Sequence, residues 1–122
     1  MPLKLQLLVL KTADPQALKA QYELLDIRFV QHRHGNGPMH FSAQVDGLVL
    51  EIYPLPKSAT AADHTTRLGF QVEDLDQTLE KLEGSNWRVV NGAAIGEFGY
   101  RAVIQDLDGR KVELTELRLK VE

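Results

Sequence analysis

The sequence predicts an α+β fold: two β-α-β-β-β modules forming a curved, cleft-bearing mixed sheet, with helices on its outer face. Three observations carry this expectation. First, the chain nearly repeats itself. Segment Leu7–Leu18 is answered by Arg67–Thr78, with Leu8 matching Leu68, Leu10 matching Phe70 and Asp14 matching Asp74. Self-similarity at a fixed period marks one supersecondary unit used more than once. Second, each copy contains a strand–turn–strand around an Asp-Gly pair, Asp46-Gly47 and Asp108-Gly109, 62 residues apart. Third, Glu51 and Glu113 stand at the same 62-residue spacing. A duplicated sheet unit with that pattern aims one carboxylate into a cleft from each half.

The bulk numbers bound the rest. A chain of 122 residues fits a single domain and can bury a core. At 43% hydrophobic and 25% charged it is an ordinary globular composition. The net charge is −3 and no Lys/Arg run is present, which argues against nucleic acid as a partner. The absence of cysteine removes disulfides, thiolate metal ligands and a cysteine nucleophile together. Apolar runs are far too short for a membrane span, and the N-terminus lacks the apolar stretch of a secretion signal, so a cytoplasmic location is expected.

Each element follows from local chemistry. Lys4–Lys11 has β-compatible spacing and stops at Thr12-Ala13-Asp14-Pro15. Asp followed by Pro starts a helix, because the carboxylate caps free N–H groups and Pro lacks the N–H that would be orphaned. That helix is expected to run to about Leu25, burying Leu18, Tyr22 and Leu25 at helical spacing. Strands follow at Arg28–His32 and His40–Val45, around a loop at Gly35-Asn36-Gly37-Pro38. Asp46-Gly47 tolerates the positive φ angles of a two-residue hairpin turn. The next strand, Leu48–Tyr53, ends at Pro54 and Pro56, and Lys57–His64 reads as a linker between modules of about 1–56 and 65–122. The second half repeats the order: strand Arg67–Val72, a helix capped by Asp74 and ending at Gly84, and a strand near Trp87–Val90. A Gly-rich loop, Gly92–Gly99, and strands Tyr100–Asp106 and Lys111–Leu117 complete it.

Strand side chains alternate between faces. Leu68, Phe70 and Val72 are therefore expected to face the helix, leaving Arg67, Gly69 and Gln71 opposite; by the repeat, Leu8 and Leu10 face the helix and Leu7 and Val9 do not. A two-residue turn sets Val45 opposite Leu48, Ala43 opposite Leu50 and Phe41 opposite Ile52, all on the helix side. The other side then pairs Gln44 with Val49, Ser42 with Glu51, and His40 with Tyr53. Val112 and Leu114 take the helix side, and Lys111, Glu113 and Thr115 the other. Polar residues on such a face mean either a wet sheet or a ligand. Trp87, Phe98, Tyr100 and Tyr53 are candidate walls of an apolar pocket, with core packing as the competing role for each.

With Leu8–Asp14 and Tyr22, Leu68–Asp76, and Asp106-Leu107-Asp108-Gly109 running into Glu113-Leu114, the chain resembles the vicinal oxygen chelate superfamily. That group includes glyoxalase I, bleomycin-resistance proteins, fosfomycin-resistance enzymes and extradiol dioxygenases. The resemblance covers nearly the whole chain and speaks to fold more than to chemistry. It implies four metal-ligand positions, often His on the first strand of each half and Glu on the last. Here those positions hold Leu7, Glu51, Arg67 and Glu113. Leucine has no lone pair, and a guanidinium is cationic and has no acceptor. The expectation is therefore no metal and no other cofactor, with Arg67 pairing Glu113, Glu51 or both.

Two functional readings follow. One is a metal-free protein of the bleomycin-resistance type that binds a small organic molecule. Its candidate ligand-binding residues are Arg67, Glu51, Glu113, His40, Tyr53, Gln71, Leu7 and Val9. The other is a lyase, isomerase or dioxygenase with Glu113, Glu51 or His40 as the catalytic group, or with a divalent metal on a shifted ligand set. His32 and His34 share a strand face beside the glycine loop, and His64 falls in the linker. The resemblance further implies a homodimer, with Lys57–His64 as the place where the chain would cross.

Overall fold

The computed structural model describes residues 2–97 and 99–118; Phe98 lies outside the described residues. Among these residues are eight strands and two helices, in the order β1 (Leu7–Thr12), α1 (Pro15–Glu23), β2 (Val30–His32), β3 (His40–Val45), β4 (Leu48–Pro54), β5 (Leu68–Gln71), α2 (Leu75–Leu82), β6 (Arg88–Gly96), β7 (Gly99–Gln105) and β8 (Lys111–Glu116). This is β-α-β-β-β twice. The chain divides into two units, Met1–Asp63 and His64–Glu122. Each holds one four-stranded sheet, ordered β1-β4-β3-β2 in the first and β5-β8-β7-β6 in the second. In both, the first strand runs parallel to the last and the remaining pairs are antiparallel.

The helix starts are built as their residues dictate. Asp14 Oδ1 accepts from the Ala17 N–H at 3.1 Å, and Asp74 Oδ1 accepts from the Gln77 N–H at 3.0 Å. Helix α1 stops sooner than expected, at Glu23, because Asp26 takes a left-handed φ of 64°. Leu25 consequently lies beyond the helix and is half-buried, while Leu18, Gln21 and Tyr22 form the buried face. Helix α2 has a further tether: the Leu75 N–H donates to Glu116 Oε1 at 2.9 Å.

That tether carries a pH signature. The backbone N–H of Leu75, and then Arg118, hold the Glu116 carboxyl below its ordinary value of 4.5. A carboxylate lowered by folding stabilises above its unfolded value and loses that contribution as pH falls through the lower folded one. Glu116→Gln is expected to be less stable than the parent above about pH 5, and to converge with it on acidification. Melting temperatures of both proteins across pH 3–7 check this; a constant gap at all pH values contradicts it.

The first hairpin forms in the expected register. Asp46 and Gly47 have φ of 47° and 84°, the two positive values of a type I′ turn. Val45 pairs with Leu48, Ala43 with Leu50, Ser42 with Glu51, and Phe41 with Ile52. The second Asp-Gly pair is used differently. Gln105 pairs with Lys111, so the turn spans Asp106–Arg110. Asp106 Oδ1 accepts from the N–H groups of Asp108 (2.9 Å) and Arg110 (3.0 Å), and the Arg110 guanidinium folds under the turn, fully buried.

Each core lies between a sheet and its helix. In the first unit Leu10, Phe41, Ala43, Leu50 and Ile52 meet Leu18 and Tyr22; in the second Leu68, Ala102, Ile104, Val112 and Leu114 meet Leu75 and Leu82. Trp87 is 5% exposed and belongs to the core rather than to a pocket wall. Tyr100 also turns to the helix: its hydroxyl donates to Asp76 of α2 at 2.6 Å. The largest departure from expectation is Gly92–Gly99. Instead of a loop, β6 continues to Gly96 and pairs with β7, with irregularities between Val89 and Asn91 and between Asn91 and Ala94. Small residues allow the backbone to bulge and still find partners. Gly99 closes the hairpin at φ 115°, where a Cβ would sit 2.8 Å from the Glu116 carbonyl oxygen. No helix among the described residues is long and apolar enough to cross a membrane.

Candidate functional site

In the first unit the non-helix face is set by strand alternation and by the β3–β4 register. Glu51 stands opposite Ser42, with Val9 beside it across the parallel pair and Leu7 beside Val49. Leu7 is 52% exposed and Val9 half-buried. His40 heads β3 and is 1% exposed. Its ring stacks on Tyr53 with centroids 4.1 Å apart and planes within 8°. The His34 and His32 rings follow at 5.1 and 6.0 Å from it. Offset aromatic stacking holds such rings in place.

The hydrogen bonding of His40 is one-sided. Nδ1 lies 3.2 Å from the Pro38 carbonyl oxygen, which can only accept, so Nδ1 donates. Nε2 is buried with no hydrogen-bond partner and lies 3.6 Å from Glu51 Oε2. In the neutral ring, Nε2 presents a lone pair to a carboxylate, acceptor against acceptor; a proton there would bridge them.

The non-helix face of the second unit is dominated by guanidinium groups. Arg67 precedes β5 and grips Glu113 Oε1 with Nε at 2.8 Å and an Nη at 2.6 Å. Of the two carboxylates sequence reasoning offered to Arg67, Glu113 is the one it pairs. Opposite Glu113 on β5 is Gly69, where a Cβ would meet nothing within 4 Å. Gln71 is exposed beside Thr115. Arg101, opposite Thr115, approaches the same Glu113 oxygen at a looser 3.7 Å. Beside it Val103, opposite Glu113, is buried on this face.

Arg101, Val103 and Asn91 were not singled out from the sequence. The signal for the first two was present, since Arg101-Ala102-Val103-Ile104-Gln105 alternates and Ala102 and Ile104 face the helix. Asn91 had no such signal, because the bulges of β6 break the alternation that would have placed it.

With duplicated modules and a carboxylate on the non-helix face of each, the family question has a direct answer. The family model of the Glyoxalase/Bleomycin resistance protein/Dioxygenase superfamily matches residues 4–114. The chain belongs to this superfamily. Solved structures agree on the fold. The chain is similar to a glyoxylase/bleomycin resistance protein/dioxygenase domain from Frankia sp. EAN1pec, with 19% identity, 97% of this chain and 100% of that one covered, and a TM-score of 0.77. It is also similar to TnmS3, an antibiotic binding protein from Streptomyces sp. CB03234, at 19% identity, 97% and 99% coverage, and a TM-score of 0.75. A third is a glyoxalase/bleomycin resistance protein/dioxygenase family enzyme from Burkholderia phytofirmans PsJN, at 13% identity, 95% and 100% coverage, and a TM-score of 0.75. No curated protein sequence matches the chain.

The side chains at the positions where the resemblance implies metal ligands do not suit a metal. Leu7 offers no electron pair, and Arg67 brings a fixed positive charge whose N–H groups already occupy a Glu113 oxygen. Zinc, nickel and iron favour imidazole among their ligands. The neighbouring His32, His34 and His40 rings lie in a stack, and among the described residues no group of three or more His, Asp or Glu side chains converges to hold an ion.

Proposed function

We propose that this superfamily member binds a small organic molecule on the non-helix face of a sheet, and does so without a divalent metal. The observation that carries the reading is the Arg67–Glu113 pair, at 2.8 and 2.6 Å. A guanidinium stands where the resemblance implies an imidazole, and it takes up the carboxylate that the resemblance implies as a ligand. What remains on these faces is suited to contact rather than coordination: the exposed Leu7, half-buried Val9, the Tyr53–His40 stack, and polar Glu51 and Gln71. The fold is shared with TnmS3, itself an antibiotic binding protein, which supports binding as an activity this architecture can serve. Apolar walls with a few placed polar groups are the usual make-up of a small-molecule site.

The test has two arms. Metal analysis of purified protein is expected to find far less than one divalent ion per chain, and a chelator is expected to leave the melting temperature unchanged. A thermal-shift screen of small organic molecules is expected to yield compounds that raise it, since a ligand selective for the native state stabilises by about 2.7 kcal/mol at a hundred times its Kd. One tightly held ion per chain, or a blank screen over a broad library, overturns the respective half of the proposal.

One observation favours a second reading. The buried, unpartnered Nε2 of His40, 3.6 Å from Glu51, has the make-up of an acid–base pair. Turnover of glutathione adducts, or cleavage of aromatic rings, would decide for an enzyme.

A further inference from the structure

We infer that the ligand is a small organic monocarboxylic acid, and that Arg101, not Arg67, recognises its carboxylate. This rests on the binding reading above, places the ligand on the non-helix face of the second unit, and narrows it to a ligand class.

Two guanidinium groups approach one carboxylate oxygen of Glu113. Arg67 holds it at hydrogen-bond length through Nε and an Nη, which commits the bidentate edge of its fork. Arg101 stands off at 3.7 Å with its side chain 42% exposed. One carboxylate oxygen already held by Arg67 cannot fully engage a second guanidinium, so Arg101 keeps an uncommitted fork. A planar carboxylate matches that fork with two parallel N–H···O bonds.

Next to Arg101 the sheet supplies a place for the rest of such a molecule. The irregular pairing of β6 with β7 opens a hollow of about 230 Å³, lined by Asn91, Ala94, Ile95, Gly99, Arg101 and Val103 among others. That is room for about eight waters at ~30 Å³ each, the scale of a single substituted ring. Ala94, opposite Arg101, and Val103 supply the apolar lining, and Asn91, opposite Val103, adds an amide. Glu97 lines the same hollow from the hairpin turn. With Glu113 nearby as well, a second negative charge on the ligand would be repelled, which selects a monoanion.

Calorimetric titration of the full chain with benzoate, phenylacetate and 3-phenylpropionate, each beside its primary amide, tests this. Acid and amide share a body and differ in charge. The acid is expected to bind at least tenfold more tightly than its amide, because hydrogen bonds to a charged group are about twice as strong as neutral ones. In Arg101→Gln the acid-over-amide preference is expected to fall to about one; Arg101→Lys, which keeps the charge and loses the fork, is expected to lie between. Equal binding of acids and amides to the parent protein overturns this inference and leaves the binding function standing. Undiminished acid preference in Arg101→Gln also overturns it, as does failure of every acid to bind at millimolar concentration. Only the blank library screen described above removes the broader reading.

Discussion

Replacing Arg110 by methionine is expected to destabilise the protein by about 3–5 kcal/mol, the usual consequence of removing one partner from a buried ion pair. The Arg110 guanidinium bonds Asp106 Oδ2 at 3.2 Å and Asp108 Oδ2 at 2.9 Å. Those side chains are 0% and 10% exposed, respectively, so the substitution leaves carboxylates without a countercharge inside the turn. Asp106 meanwhile holds the turn's own N–H groups, which couples the network to the β7–β8 hairpin. Burial alone would lower the Arg110 pKa; the Asp106 charge and the bonds from both carboxylates outweigh it, so the net direction is upward. A raised base stabilises below its unfolded value and loses that contribution only as pH climbs through the folded one, so the network stays intact in all but strong alkali. Urea unfolding at pH 7 measures the loss. Asp106→Asn combined with Arg110→Met should recover part of it, because the fully buried carboxylate is then neutral, leaving only that of Asp108 without a countercharge, and the amide oxygen still accepts from the turn. A cost below about 1 kcal/mol for Arg110→Met would place the network among the weak surface pairs.

This turn also shows where sequence reading reached and where it stopped. The repeat, the Asp caps and the Asp46-Gly47 turn are local or periodic signals, and they yielded both modules, both helix starts and the β3–β4 register. Because side chains alternate with period two, that register placed Glu51 and His40 on one face. What failed to show was long-range. Asp108-Gly109 looks like Asp46-Gly47, yet its turn is longer and is organised by Arg110, a residue whose burial depends on carboxylates that cancel its charge. The glycine-rich stretch read as a loop because glycine weakens strands on its own; pairing with β7 overrode that preference. Arg101 went unnoticed because its importance lies in Glu113 being committed elsewhere, a fact about three side chains at once.

The faces of the two units have diverged more than their backbones. Strand order is the same in both. The first face carries stacked imidazole and phenol rings beside one carboxylate, and the second carries competing guanidinium groups around another. The duplication therefore preserved the hydrogen-bonded frame, which any alternating sequence can satisfy. It left the side chains on the non-helix faces open to change without loss of either core.

His40→Ala is the second substitution with a large expected effect, about 2–4 kcal/mol of stability, comparable to truncating other large buried side chains. The loss has separable parts. The ring is 1% exposed, so its removal leaves a cavity beside Tyr53 and ends the 4.1 Å stack. The Nδ1 bond to the Pro38 carbonyl disappears as well, leaving that oxygen to seek another donor. His40→Asn sets an amide N–H near the Nδ1 position and discards the ring. It should recover about 1 kcal/mol relative to alanine, the usual net contribution of one hydrogen bond. Urea unfolding of the three proteins separates cavity from bond, and an alanine variant within about 0.5 kcal/mol of the parent would mean the ring is not packed as described. The same variants discriminate between the roles open to His40. If they lose stability while the folded fraction still binds the compounds found in the thermal-shift screen, His40 acts by holding the face. If catalytic turnover is found and His40→Asn abolishes it while remaining folded, the Nε2 facing Glu51 is the working atom.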